Sequence, residues 1–272
     1  MDVPLQTLYE AEGVGGSEMP ESLRYLYGGD LGLPDESLFA NFVASIDGVV
    51  ALDDGPVSVV SRSSPADRFV MALLRAFASA VVVGASTLRK EPKGLWTSEY
   101  LWPQQAKAFA SVRRELGLHP SPQLVVLTRS GEVDPNLAAV QQGALLITTD
   151  AGSARLRGRL PKSCRIVSLG GAVEVTDALR LLRTEGHARI LTEGGPHVMG
   201  QVLQSGELDD LFLTVSPVML GRAAGRTRLG LVEGAALDPA EAGSSGELLS
   251  AKRSGSHLFL RYGLGRRSGS VD

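Results

Sequence analysis

The chain has 272 residues, of which 43% are hydrophobic and 21% charged, with a formal net charge of -3. That is the composition of a soluble globular protein with a substantial core, and it provides no basic surface for nucleic acid. The lone cysteine, Cys164, excludes an internal disulfide framework or a multi-thiolate zinc site, and no apolar run reaches the roughly 18–20 residues that cross a bilayer.

The opening MDVPLQTLYEAEGVGG lacks the basic and apolar regions of a signal peptide, which makes the cytoplasm the expected compartment. Residues 1–35 are rich in Gly and Glu with little periodicity and read as an irregular arm. Strands are then expected at LFANFVAS, AVVVGA, QLVVLT, ALLITT, CRIVSL, RILTE, LFLTVSP and HLFLRYG. Helical patterns fall between them, over 65–78, 104–116, 175–185 and 196–204. Several of the strand runs are apolar throughout, as in a parallel sheet covered on both faces. The alternation predicts one α/β domain over 36–265, with a disordered tail at 266–272. No long helix separates the last two strands, so that end of the sheet is expected to be antiparallel. The four histidines, His119, His187, His197 and His257, have no metal-ligand spacing, and no metal is expected.

In open α/β sheets ligands bind beyond the carboxyl ends of the strands, and three such ends carry suitable chemistry. VVVGASTLRKE leaves its strand through Gly84 and starts a helix at Ser86 and Thr87. VVLTRSG ends with Thr128 and Ser130 flanking Arg129, whose planar fork suits a phosphate monoester. ILTEGGPHVMG places Gly194 and Gly195 between an acid and a helix. The pair answers either to a tight turn or to close approach of a phosphate to a helix N-terminus. Together the three ends favour a phosphorylated dinucleotide, although no G-x-G-x-x-G is present.

SSPADRFVMALLRAFA reads as a helix with Ser64 as N-cap and Pro65 at its first position. On a helical wheel Asp67 falls on the face of Val70, Leu73, Leu74 and Phe77. An inward carboxylate has its charged form disfavoured and suits proton transfer, whereas Ser64-x-x-Asp67 equally resembles a capping box. Arg75, one edge over, is either an anion clamp or a snorkelling surface residue.

These stretches, with NFVASIDGVVA and the long ILTEGGPHVMGQVLQSGELDDLFLTVSPVMLG, resemble the pyrimidine reductases of riboflavin biosynthesis, which share the dihydrofolate reductase fold. The likeness runs from residue 39 to about residue 221. It implies a central, mostly parallel sheet of eight or nine strands flanked by helices, with an antiparallel C-terminal strand and NADPH across the strand ends. Cofactor contacts would come from the Ala44 backbone, from Gly84, Ser86 and Thr87, and from Thr128, Arg129 and Ser130. Glu193, Gly194, Gly195, His197 and Val198 would receive the diphosphate. Arg75 would hold a substrate ribose phosphate. Family members follow the cofactor turn with Asp-Asp-Pro, with the second acid at the substrate. Here the chain reads Lys90, Glu91, Pro92, which leaves Glu91 as the candidate.

The zinc deaminase motifs of bifunctional relatives are missing from the sequence. The Pro-Ala-Asp of the helix also resembles true dihydrofolate reductases, where it supplies the substrate-facing carboxylate. Asp67 and Glu91 are thus the catalytic candidates, and Asp67, Arg75 and Glu91 the substrate contacts. The expected substrate is an aminouracil ribose phosphate, with a dihydropterin as the alternative; a nucleotide-binding regulator without turnover is a third reading. A homodimer is expected through DDLFLTVSPVML, an apolar strand near the end of the sheet.

Overall fold

The computed structural model describes residues 4–15, 19–52, 58–225, 227–238 and 245–264. Among these, twelve strands form: β1 (Gln6–Glu10), β2 (Ser37–Ser45), β3 (Ala51–Leu52), β4 (Ala80–Gly84), β5 (Gln123–Thr128), β6 (Leu145–Thr148), β7 (Arg165–Ser168), β8 (Arg189–Thr192), β9 (Asp210–Ser216), β10 (Arg228–Leu229), β11 (Glu247–Ser254) and β12 (His257–Gly263). Ten of them build one sheet in the order β1-β11-β12-β9-β2-β8-β4-β5-β6-β7, and β3 pairs with β10 in a separate ribbon. From β9 to β7 every pairing is parallel, whereas β12, β11 and β1 are added antiparallel. The architecture is α/β with a mostly parallel central sheet, as the alternation implies.

The parallel strands are apolar because both their faces are covered. On one face lie the helices Pro65–Phe77 and Ala106–Glu115, packed through Phe69, Leu73, Phe77, Phe109 and Val112 against Val81, Val83 and Val126. On the other lie Val175–Thr184 and Pro196–Ser205, packed through Leu179, Leu182, Met199 and Val202 against Val82, Val125 and Ile147. Ser64 caps the first helix by accepting the Asp67 backbone N–H, and Pro65 opens it. Buried Arg113 closes its other end, donating from Nη1 to the carbonyls of Arg75, Ala76 and Ala78.

Three expectations are corrected. The sheet has ten strands rather than eight or nine, because β1 and β11 join it at the antiparallel end. The N-terminal arm is built rather than irregular. It contributes β1 and a helix, Glu21–Tyr27, whose Leu23 and Leu26 are core residues. It also supplies carbonyls to two buried cations of the last hairpin. Lys252 Nζ donates to the Gly28 carbonyl and the Thr7 hydroxyl, and Arg261 donates to the Leu31 and Gly32 carbonyls while pairing with Asp210. Finally, β9 is an interior strand between β2 and β12 rather than one near the end of the sheet. Its apolar run is explained by burial, and its edges are already paired. The tail at 266–272 lies outside the described residues. No helix among them is long and apolar enough to cross a membrane.

Candidate active site

The sheet order sets β2, β8, β4 and β5 side by side and parallel, so their carboxyl ends share one edge. The sequence-predicted turns are therefore neighbours: Ala44 near the end of β2, residues 193–198 after β8, residues 84–87 at β4 and residues 128–130 at β5. β2 runs five residues beyond its last pairing with β8, Ala40 with Thr192, which raises Ala44 and Ser45 as a step beside the glycine turn. Arg129 and Ser130 are exposed, whereas Thr128 is buried and its hydroxyl accepts the Gly131 N–H.

The two glycines have different causes. Neither has a positive φ, so backbone strain accounts for neither. A Cβ on Gly194 would lie 2.6 Å from Val198 Cβ, so the packing of Val198 alone requires glycine there. At Gly195 a Cβ would meet only Thr87 Oγ1, at 3.7 Å, and otherwise open space. Gly195 is the N-cap of Pro196–Ser205, and its carbonyl already accepts from Val198 and Met199. The protein itself does not exclude a side chain at this position. The open backbone, the Ser86 and Thr87 hydroxyls nearby and a ten-residue helix N-terminus fit a diphosphate.

Beneath this turn one guanidinium, Arg75, pairs with Glu193; Glu91 feels the Arg75 charge and Asp67 that of Glu193. Arg75 donates from Nε and Nη2 to the two Glu193 carboxylate oxygens, at 2.9 and 2.6 Å, and from Nη1 to the Leu95 carbonyl at 3.0 Å. The Trp96 ring lies 5.7 Å from its carbon centre. Arg75 is only 5% exposed. Its fork is filled by Glu193. The helical wheel could not foresee this, because the partner lies 118 residues downstream.

Asp67 is buried as its position on the wheel implies. It serves the cap through its backbone N–H alone, while the Ser64 N–H bonds the Ser61 carbonyl. Its carboxyl is left to meet the Thr214 hydroxyl of β9. Burial pushes the Asp67 carboxyl up to about 6; the Thr214 bond opposes the rise and the nearby Glu193 charge adds to it. Glu91, half-buried after the helix Ala85–Lys90, is also raised by burial and lowered by the Arg75 charge, which brings it to the same group.

Thr214 and Asp47 escaped the sequence reading. The signal for Thr214 was a hydroxyl residue inside the apolar run LFLTVSP. Asp47, in the SIDG stretch after β2, accepts from the Ser45 hydroxyl and from the backbone N–H groups of Leu220 and Gly221. These bonds, Ser45 first, pull it down to about 2. It ties the loop beyond Ala44 to the segment beyond β9.

Comparison with known proteins follows this geometry. The family profile of the RibD C-terminal domain matches residues 36–246. A pyrimidine reductase-like protein from Corynebacterium diphtheriae is 23% identical with a TM-score of 0.69, covering 90% of this chain and 99% of that one. A deaminase/5-amino-6-(5-phosphoribosylamino)uracil reductase from Thermotoga maritima is 19% identical with a TM-score of 0.60, over 84% of this chain and 56% of that one. A riboflavin biosynthesis reductase from Saccharomyces cerevisiae is 14% identical with a TM-score of 0.56, over 86% and 92%. These structures share the dihydrofolate reductase-like fold. No curated protein sequence matches the chain. By its profile match over most of its length, the chain belongs to the RibD C-terminal domain family.

Proposed function

We propose that the protein is an NADPH-dependent reductase of riboflavin biosynthesis that transfers hydride to the open-chain ribose carbon of an aminouracil phosphate. The main support is the set of four adjacent parallel strand ends, with Gly195 open where its neighbours leave room for a diphosphate. In this reading the Gly195 backbone, Ser86 and Thr87 hold the diphosphate, with Gly84, His197 and Val198 as walls, and Arg129, Thr128 and Ser130 receive the adenosine phosphate. The Ala44 backbone flanks the nicotinamide, which supplies the hydride when bound.

The chain's own part is to position and to handle a proton. Arg75 fixes Glu193 under the turn and is a positioning residue, not a phosphate anchor. Burial lets Asp67 keep a proton up to about pH 6, well above an ordinary carboxyl, and it supplies that proton to the nitrogen beside the carbon being reduced. Glu91 reaches the same space from the cofactor turn. The test is NADPH consumption with the phosphoribosylamino pyrimidine; a protein that binds NADPH and turns over none of it is instead a nucleotide-binding regulator.

One observation favours a second reading. A buried carboxyl bonded to a threonine hydroxyl, as in Asp67 and Thr214, also suits a pterin ring, which presents a nitrogen and an amino group to one carboxylate. Dihydrofolate, assayed in parallel, separates the two.

A further inference from the structure

A cavity of about 760 Å³ lies at the other edge of the sheet, where β4, β5 and β8 begin. Its volume falls in the range of small-molecule sites. Trp96 forms part of its wall and Tyr100, 46% exposed, offers a free ring at its rim. Gln142 adds a side-chain carboxamide able to donate and accept, and Gln123 a second whose Nε2 donates to the Leu124 carbonyl while its oxygen can accept.

No Lys or Arg lines the cleft, and Glu99 is its one carboxylate. Burial keeps His187 below the usual histidine range, which leaves it neutral at neutral pH. Arg113 lies beneath the rim, where its Nε donates to the His119 carbonyl and its Nη1 closes the helix above. A phosphate therefore finds no Lys or Arg facing it, and a metal ion finds one carboxylate. A flat ring with amide edges finds aromatic surface and two carboxamides.

The cleft is also joined to the acidic group described above. Leu95 and Trp96 both line it, and both hold Arg75, through the Leu95 carbonyl and the Trp96 ring. Arg75 in turn holds Glu193 beneath the glycine turn. We propose that this cleft is a second ligand site, for an uncharged planar heterocycle with an imide edge, coupled to the strand-end site through residues 95–96, Arg75 and Glu193. The proposal rests on the reductase reading only for its choice of NADPH as reporter.

Riboflavin, a neutral isoalloxazine, is the probe, with FMN as its phosphorylated counterpart and calorimetry on the full chain as the readout. Riboflavin should bind saturably, and FMN no more tightly. The double variant Tyr100→Ala/Gln142→Ala should raise the riboflavin Kd about tenfold or more while leaving the NADPH Kd unchanged, since neither residue belongs to the strand-end site. Saturating riboflavin should shift the NADPH Kd of the native protein by about fivefold or more. The proposal is overturned by the absence of saturable binding, by full binding to the double variant, by tighter binding of FMN, or by an NADPH Kd indifferent to riboflavin. A protein that binds no NADPH defeats the reductase reading, while the riboflavin isotherms still decide the cleft.

Discussion

Replacing Asp67 with Asn should stabilise the protein at neutral pH and leave it equally or slightly less stable in acid. Burial raises this carboxyl from the ordinary 3.8 to about 6. The folded state therefore binds more protons than the unfolded state between about pH 4 and 6, and stability falls as the pH rises through that window. Above it, the charged form carries a penalty of about 3 kcal/mol. Asn keeps the shape, still accepts from Thr214 and leaves the Ser64 cap intact, because the cap uses only a backbone N–H. Its amide brings a new donor to a buried place, at a cost of about 1–2 kcal/mol. The net gain should be about 1–2 kcal/mol at pH 7.5, a rise in Tm of roughly 2–8 °C for a chain of this size. Thermal melts of both proteins at pH 4.5 and 7.5 provide the test. A variant less stable at pH 7.5, or equally altered at both pH values, would refute a carboxyl whose ionisation is opposed by burial. In the same variant, turnover should be lost if Asp67 supplies the proton.

Arg75→Ala should cost about 3–5 kcal/mol in urea denaturation by leaving Glu193 buried without its cation, and Arg75→Met with Glu193→Met should recover most of it. A loss below about 1 kcal/mol would return Arg75 to the role of phosphate anchor. Arg129→Ala should weaken NADPH binding about ten- to a hundredfold in fluorescence titrations and leave NADH nearly unchanged; equal losses would remove it from the 2′-phosphate. Gly195→Val should fold normally and lose NADPH, because its side chain enters space the protein leaves open. Gly194→Ala should instead lower the Tm, since its Cβ would meet Val198. Unimpaired NADPH binding by Gly195→Val would make that glycine a simple linker.

How much of this was legible depends on what each residue faces. β2, β4, β5, β6, β8 and β9 are visible in sequence because double burial makes them mostly apolar. β1 is exposed along its whole length and β11 carries Lys252 and Arg253, so neither has the pattern of a covered strand. The strand-end turns were readable because Gly, Ser, Thr and Arg after an apolar run have few other uses. Asp67 could be placed by helical period alone. Its bond to Thr214 and the union of Arg75 with Glu193 are pairings across the fold, and no local pattern encodes them. The double glycine shows the limit most clearly, since two identical residues answer to different neighbours.

The buried cations of the last hairpin bear on the order in which the chain is made. Lys252 meets a carbonyl 224 residues earlier in the sequence, and Arg261 meets one 230 residues earlier. During synthesis the carbonyls of residues 28–32 emerge more than 200 residues before the cations that bond them. Until those cations arrive the antiparallel end of the sheet stays open. The parallel strands can assemble earlier, but closure joins segments more than 200 residues apart and waits for β11 and β12. A nascent chain stalled before residue 252 should therefore present an unsealed sheet edge to chaperones, and deletion of residues 4–32 would leave two buried cations without their carbonyl acceptors.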